Sequence, residues 1–231
     1  TLYLLRERYD LLDCQSFPYI HVIPSVIISK LRGKPVIVTW HEVWGTYWYD
    51  YLGSIGLLGK IVESLAARIS PAVIAVSMRT KRWLRAAGCQ APIFVLPPPM
   101  DVQVETVDPG KRRYDMIYAG RMIHHKHPEI FVEAVDKIRD EINDIRAVMV
   151  GNGPERDNIE RMITEKNLED NIEICDFLES EKLYELISNT RILVLPSERE
   201  GFGMIAAEAL FCGTPSVALR HPNSAVDEII R

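Results

Sequence analysis

Cysteine is scarce: Cys14, Cys89, Cys175 and Cys212 lie far apart in 231 residues and form no C-x-x-C pair. That excludes the usual zinc and dithiol motifs and gives no disulfide framework, so the four read as buried free thiols in a reducing compartment. No strand-like run is followed by G-x-G-x-x-G, the usual fingerprint of a dinucleotide oxidoreductase. Long apolar runs are missing too. The longest candidate, YIHVIPSVIISKL at 19–31, carries a His, a Pro, two Ser and a Lys and is too short and too polar to span a bilayer. There is no internal repeat and no low-complexity tract. An initiator Met is absent, and the chain stops at Arg231 inside the helix-like SAVDEIIR, so a fragment cut at both ends is the expectation.

What is present describes a soluble globular protein, with 47% hydrophobic and 26% charged residues. Short runs rich in Val, Ile and Leu alternate with longer helical patterns. The strand candidates are DLLDC (10–14), PVIVTW (35–40), AVIAVS (72–77), PIFVLP (92–97), YDMIYAG (114–120), RAVMVG (146–151), NIEICDF (171–177), RILVLP (191–196) and PSVAL (215–219). Near-continuous apolar strands of this kind suit a parallel sheet buried on both faces, so the fold class is α/β. PEIFVEAVDKIRDEI (128–142) shows helical spacing at Ile130, Phe131, Ala134, Val135 and Ile138. The rhythm breaks at PPPMDVQVETVDPGKRR (97–113), where prolines cannot continue a central strand. Two incomplete α/β domains follow, 1–107 and 108–231, with a cleft expected between them. Charge is uneven: residues 1–100 hold 11 basic and 6 acidic residues, while residues 101–231 hold 16 and 26. A basic first half on an acidic chain suits an anionic surface or acceptor, against scattered solvated Lys and Arg as the alternative.

In parallel α/β sheets ligands sit beyond the carboxyl ends of the strands, where loops run into helix N-termini. Four turns of the second domain qualify: AGRMIHHKH (119–127), VGNGPE (150–155), PSEREGFG (196–203) and CGTPSV (212–217), the last with Gly213 as a helix C-cap. Glycines at 201 and 203 let backbone N–H groups approach an oxyanion beside the positive end of the following helix. Arg121 and Lys126 add full positive charge, which together makes a diphosphate site. Glu200 and Glu208 cannot bind phosphate and must accept hydrogen bonds from hydroxyls flanking it. Eight residues span about 12 Å in a continuous helix, which suits one carboxylate on a sugar and the other on a ribose.

Glu200 and Glu208, seven residues apart in PSEREGFGMIAAEAL, resemble the E-x7-E signature of family 4 glycosyltransferases. AGR…K at 119–126, VGNGPER at 150–156 and CGTPSVA at 212–218 extend the likeness, and VTWHEVWG at 38–45 resembles the segment bearing that family's active-site histidine, here His41. The resemblance implies the GT-B fold, two Rossmann-like parallel-sheet domains facing a cleft. It implies a retaining enzyme that moves a sugar from a nucleotide-diphosphate donor to a glycan, lipid-linked or small-molecule acceptor. Arg121 and Lys126 would neutralise the donor diphosphate. Glu200 and the backbone of Gly201, Phe202, Gly203, Met204 and Ile205 would hold the sugar and phosphate. Glu208 would take the ribose hydroxyls, and His41, the second catalytic residue beside Glu200, would reach across the cleft to the sugar. No D-x-D occurs, so no metal and no cofactor are expected, with Arg121 and Lys126 supplying the positive charge.

Rival readings are a nucleotide-sugar epimerase on a similar fold and a non-catalytic nucleotide-sugar-binding protein. The His124, His125 and His127 side chains read as exposed loop residues rather than metal ligands. The aromatic run WHEVWGTYWYDY (40–51) suits acceptor or membrane contact, against core packing under a long loop. SIGLLGKIVESLAARI (54–69) is amphipathic and reads as packing on its sheet, and MRTKRWLR (78–85), with four cations around Trp83, as a solvated helix face, against membrane docking as the alternative. The expected partners are a nucleotide-sugar donor, a glycan or lipid-linked acceptor and the anionic surface of a membrane, with no nucleic acid. The expected location is the cytoplasm or the cytoplasmic face of a membrane.

Overall fold

The computed structural model describes residues 2–104, 107–142 and 144–230. Glu105 and Thr106 of the expected linker, and Arg231 at the end of the expected second domain, lie outside them. The chain divides into two compact units, Thr1–Pro98 and Pro99–Arg231. The break expected from sequence, between 107 and 108, lies further along. Val102 and Val104, between the two positions, pack against a core of the second unit.

The first unit is a parallel sheet of β1 (Leu12–Gln15), β2 (Val36–Trp40), β3 (Val73–Ala75) and β4 (Ile93–Val95), arranged in that order. Its helices are α1 (Val22–Leu31), α2 (Tyr47–Leu52), α3 (Gly56–Ile69) and α4 (Met78–Ala86). Strands laid down successively in one direction, with right-handed crossovers, put their connecting helices on one face. Accordingly Val22, Ala66, Ala67 and Leu84 join Cys14, Val38, Trp40 and Ala75 in a single core. The opposite face is less covered: Ile37 and Ile74 are half-buried and Phe94 is 64% exposed. The double-sided burial read from the apolar runs therefore does not hold for this unit. Local chemistry starts α4, where the Ser77 hydroxyl accepts the Thr80 N–H at 3.0 Å as an N-cap.

The second unit holds β5 (Tyr114–Ala119), β6 (Ala147–Val150), β7 (Ile172–Cys175), β8 (Thr190–Leu195) and β9 (Ser216–Ala218), all parallel, in the order β7-β6-β5-β8-β9. Its helices are α5 (Pro128–Ile138), α6 (Arg156–Glu165), α7 (Ser180–Ser188) and α8 (Met204–Phe211). The chain winds outward from β5 through β6 to β7, then returns to the other side of β5 as β8 and β9. That reversal splits the core in two. Met116 and Tyr118 point into one layer with Phe131, Val132 and Ile159, while Ile117 and Ala119 point into the other with Ala206 and Ala209. Burying a side chain such as Phe131 stabilises the fold by about 1.5–3 kcal/mol. Here the central strands β5 and β6 are buried on both faces, as their sequences imply, whereas β9 at the edge is not, with Val217 53% exposed. All nine strands read from sequence are present, with ends moved by one or two residues. The four cysteines are free, with Cys14, Cys89 and Cys212 buried and Cys175 half-buried.

Candidate functional site

The reversal of strand order between β5 and β8 is the topological switch point, and open α/β sheets bind ligands beyond the carboxyl ends of the strands at such a point. Both loops carry the candidate residues. The loop after β5 is tied to the loop after β6, because Gly120 N–H donates to the Val150 carbonyl and Met122 N–H to that of Asn152, each at 2.9 Å. It is tied to the loop after β8 by the Glu198 N–H, which donates to the His125 carbonyl at 3.0 Å. The β8 loop is held from its far side by Ala225, whose N–H donates to the Glu200 carbonyl at 2.8 Å.

Within this frame Lys126 Nζ donates to Glu200 Oε1 at 2.5 Å, with the two side chains 19% and 11% exposed. So the structure joins two residues to which the sequence reading gave separate tasks, one on phosphate and one on sugar. Arg121 lies in the same loop, solvent-exposed, and its guanidinium makes no ion pair or hydrogen bond among the described residues. Gly203, at φ +98°, turns the chain into α8. The N–H groups of Phe202, Gly203, Met204 and Ile205 meet no acceptor among the described residues. For Met204 and Ile205 this follows from position, since first-turn amides have no intrahelical partner. Unpaired amides at the positive end of a helix suit an anion, and Arg121 stands in the loop that the Glu198–His125 hydrogen bond ties to this one.

Glu208 lies further along α8, where its Oε1 accepts the Tyr184 hydroxyl of α7 at 3.2 Å. Burial raises its pKa, partly offset by that hydrogen bond. Tyr184 gave no signal in the sequence beyond its place in a helical pattern.

The histidines of the β5 loop depart from the exposed side chains expected. His124 is exposed, but His127 places Nδ1 2.7 Å from Glu129 and Nε2 3.1 Å from Glu198. Burial alone would lower the His127 pKa, and the two carboxylates reverse this and raise it. Burial, followed by the charges of Lys126, Arg199 and Arg121, pushes His125 down from 6.5 to about 4. Unfolded His125 therefore binds a proton that folded His125 refuses between those two values. Stability from this group is complete above the unfolded pKa and is lost as the pH falls from about 6.5 to about 4. His125→Gln, which takes up no proton, is expected to flatten that limb. Denaturant melts of both proteins across the window check it, and parallel losses would refute it.

In the first unit His41 follows β2, exposed, with Nε2 2.7 Å from Gln15 Oε1 at the end of β1. Its loop is fixed by a residue the sequence reading passed over. Glu63 of α3 is 1% exposed and accepts the Trp44 and Gly45 N–H groups at 2.6 and 2.8 Å. A lone carboxylate in an otherwise apolar stretch of helix was the available signal. The aromatic run divides. Trp40 is fully buried and stacks on Tyr19 at 5.1 Å, and Trp48 packs against the same core. Tyr49 and Tyr51 stay 39% and 61% exposed.

Known proteins resemble this chain in sequence and in fold. Residues 103–231 match the family described as Glycosyl transferases group 1, and residues 1–104 match Glycosyltransferase Family 4. The alpha-D-kanosaminyltransferase of Streptomyces kanamyceticus is 30% identical over 224 residues, which cover 88% of this chain and 57% of that protein. The D-inositol 3-phosphate glycosyltransferase of Pseudarthrobacter chlorophenolicus is 30% identical over 118 residues, 49% of this chain and 28% of that one. This chain thus spans little more than half the length of the first relative and less of the second. Among solved structures, Anabaena Alr3699/HepE in complex with UDP and glucose superposes with a TM-score of 0.78 at 19% identity, covering 96% of this chain and 62% of that one. The sucrose-phosphate synthase of Thermosynechococcus elongatus does so at 0.74 and 23%, covering 94% and 57%.

Proposed function

Because the chain belongs to glycosyltransferase family 4, whose second half is the group 1 glycosyl transferase domain, we propose that it moves a sugar from a nucleoside-diphosphate donor to a hydroxyl-bearing acceptor. One observation carries this reading. At the switch point of the second unit, a charged Lys126–Glu200 pair stands in the loops that also hold a free Arg121 guanidinium and four unpaired amides.

The chemistry follows from that set. As the bond between sugar and diphosphate breaks, negative charge grows on the leaving phosphate. Fixed cations and amide dipoles stabilise that charge without having to reorganise. Arg121, Lys126 and the amides of Phe202 to Ile205 do this, which is the work a divalent metal performs elsewhere, and the reading needs no metal. Glu200 accepts from a sugar hydroxyl, and Glu208 from the ribose. His41 contacts the transferred sugar. Retention of configuration, through attack on the face the leaving group vacates, belongs to the same reading, as does a place in the cytoplasm. The acceptor is a glycan, a lipid-linked sugar or a small polyol.

Calorimetric titration of UDP, GDP and ADP into the full chain and its Glu208→Ala variant tests it. UDP comes first because the Anabaena protein of the same fold holds UDP and glucose. Binding of one nucleotide, weakened about tenfold or more in the variant, is expected from the loss of a hydrogen bond to a charged acceptor. A folded full chain that binds none of the three would overturn the proposal.

A further inference from the structure

Helix α3 is inside out relative to its sequence. Its amphipathic pattern reads as packing on the sheet, yet the side it buries carries Gly56, Glu63, Ala66 and Ala67. Leu57, Leu58, Ile61 and Leu65 point away and are 50%, 63%, 54% and 43% exposed, and Ile55 just before the helix is 63% exposed. Small residues let α3 lie close to the sheet, and the Glu63 carboxylate is used up by the His41 loop. The large apolar residues are left outside. Helix α1 lies alongside and continues the surface with Ile27 and Leu31, 52% and 78% exposed. An open groove of about 860 Å³ runs between the two, lined by Val26, Ile27, Leu65 and Ile69 and edged by Lys30 and Lys34.

We propose that this α1–α3 face is a docking surface for an anionic lipid membrane. An apolar face rimmed with cations is the signature of a helix that lies in a bilayer interface. The charges choose the occupant. Helices α1 and α3 together carry Lys30, Lys60 and Arg68, and their single acid, Glu63, is buried. Asp10, at the groove's edge, is paired with Lys34 at 3.1 Å. Asp50 on α2 is exposed. Lysine stems can lie along the apolar surface while their ammonium groups reach lipid phosphates. A second copy meeting this face by two-fold symmetry would set its own Lys30 and Lys60, which make no ion pair among the described residues, against like charge. The surface lies wholly within the first unit and does not depend on the transfer reading, because lipid binding is measured with neither donor nor acceptor.

The test is co-sedimentation of the full chain with vesicles of phosphatidylcholine alone and with added phosphatidylglycerol, comparing wild type, Leu58→Asp/Ile61→Asp and Lys30→Gln/Lys60→Gln. Wild type is expected to partition at least about tenfold better onto the anionic vesicles. The aspartate pair should lose binding to both, and the glutamine pair should lose only the anionic preference. The proposal is overturned if wild type stays in the supernatant, or if the aspartate pair sediments like wild type. It is also overturned if wild type is a dimer that the aspartate pair dissociates, which would make the partner a second copy. Should the aspartates unfold the chain, as circular dichroism would show, the glutamine pair decides alone.

Discussion

Lys126→Met is expected to lower the sugar-transfer rate by about 10²–10³-fold, the usual effect of removing one preorganised charge-stabilising group. Methionine keeps the apolar stem and deletes the ammonium. Without it the diphosphate loses a charge-assisted contact worth about 1.5–3 kcal/mol, so UDP should bind roughly 10–100-fold more weakly. Glu200 loses the cation that faces it at 2.5 Å while only 11% exposed, so stability falls as well and rates should be compared well below the variant's melting temperature. The informative partner is Glu200→Gln, for which the two readouts separate. Transfer should fall about as far, because the sugar hydroxyl loses its acceptor. UDP should bind at least as tightly as to wild type, because Lys126 is released from its carboxylate. Opposite shifts in affinity with a shared loss of rate would identify the pair as one device, and the double variant should be far from additive. Unchanged UDP affinity in Lys126→Met would place the diphosphate elsewhere.

That pairing was not legible in the sequence, and the reason is physical. Lys126 and Glu200 are 74 residues apart and meet only because β5 and β8 are neighbours at the switch point. Strand existence was readable, since runs such as ILVLP and AVMV declare buried strands. Strand order was not, because nothing in RILVLP says that it pairs with YDMIYA rather than with NIEIC. The glycine turn and its flanking charges were visible as a local pattern. Their partners Tyr184 and Ala225 arrive from other elements and were invisible for the same reason.

The α3 helix shows a second limit. Periodicity reveals that a helix has an apolar side but not what covers it. A sheet is the only surface in view for that side along the chain, yet Ala66 and Ala67 pack there and Leu58 and Ile61 stay outside. Trp40 errs in the opposite direction. Its place in an aromatic run suggested a contact surface, but alternation along β2 turns it into the core. Composition says which residues favour an interface between apolar and wet surroundings, and strand register decides which of them reach one.

Gly203→Ala separates backbone strain from ligand binding when set beside Gly213→Ala. Both glycines bound α8 and both lie in the left-handed region, at φ +98° and +73°. A side chain there costs about 1–2 kcal/mol. At position 203 a new Cβ would also stand 3.3 Å from Val226 Cγ2, closer than ordinary contact. Each variant should therefore lower the melting temperature by roughly 2–8 °C, given about 2–4 °C per kcal/mol for a chain of this size. Only Gly203, however, sets the direction of the amides that lead into Met204 and Ile205. Relaxing φ toward values an alanine tolerates rotates the peptide planes on both sides and turns those N–H groups away from a common point. UDP affinity should then fall about 10–100-fold in Gly203→Ala, the worth of one charge-assisted hydrogen bond. It should stay near wild type in Gly213→Ala, whose strain sits at the helix end without free donors. Equal affinity losses in the two variants, measured by calorimetry at a temperature where both are folded, would show that general loosening of α8 weakens binding and that its N-terminal amides do not hold the phosphate.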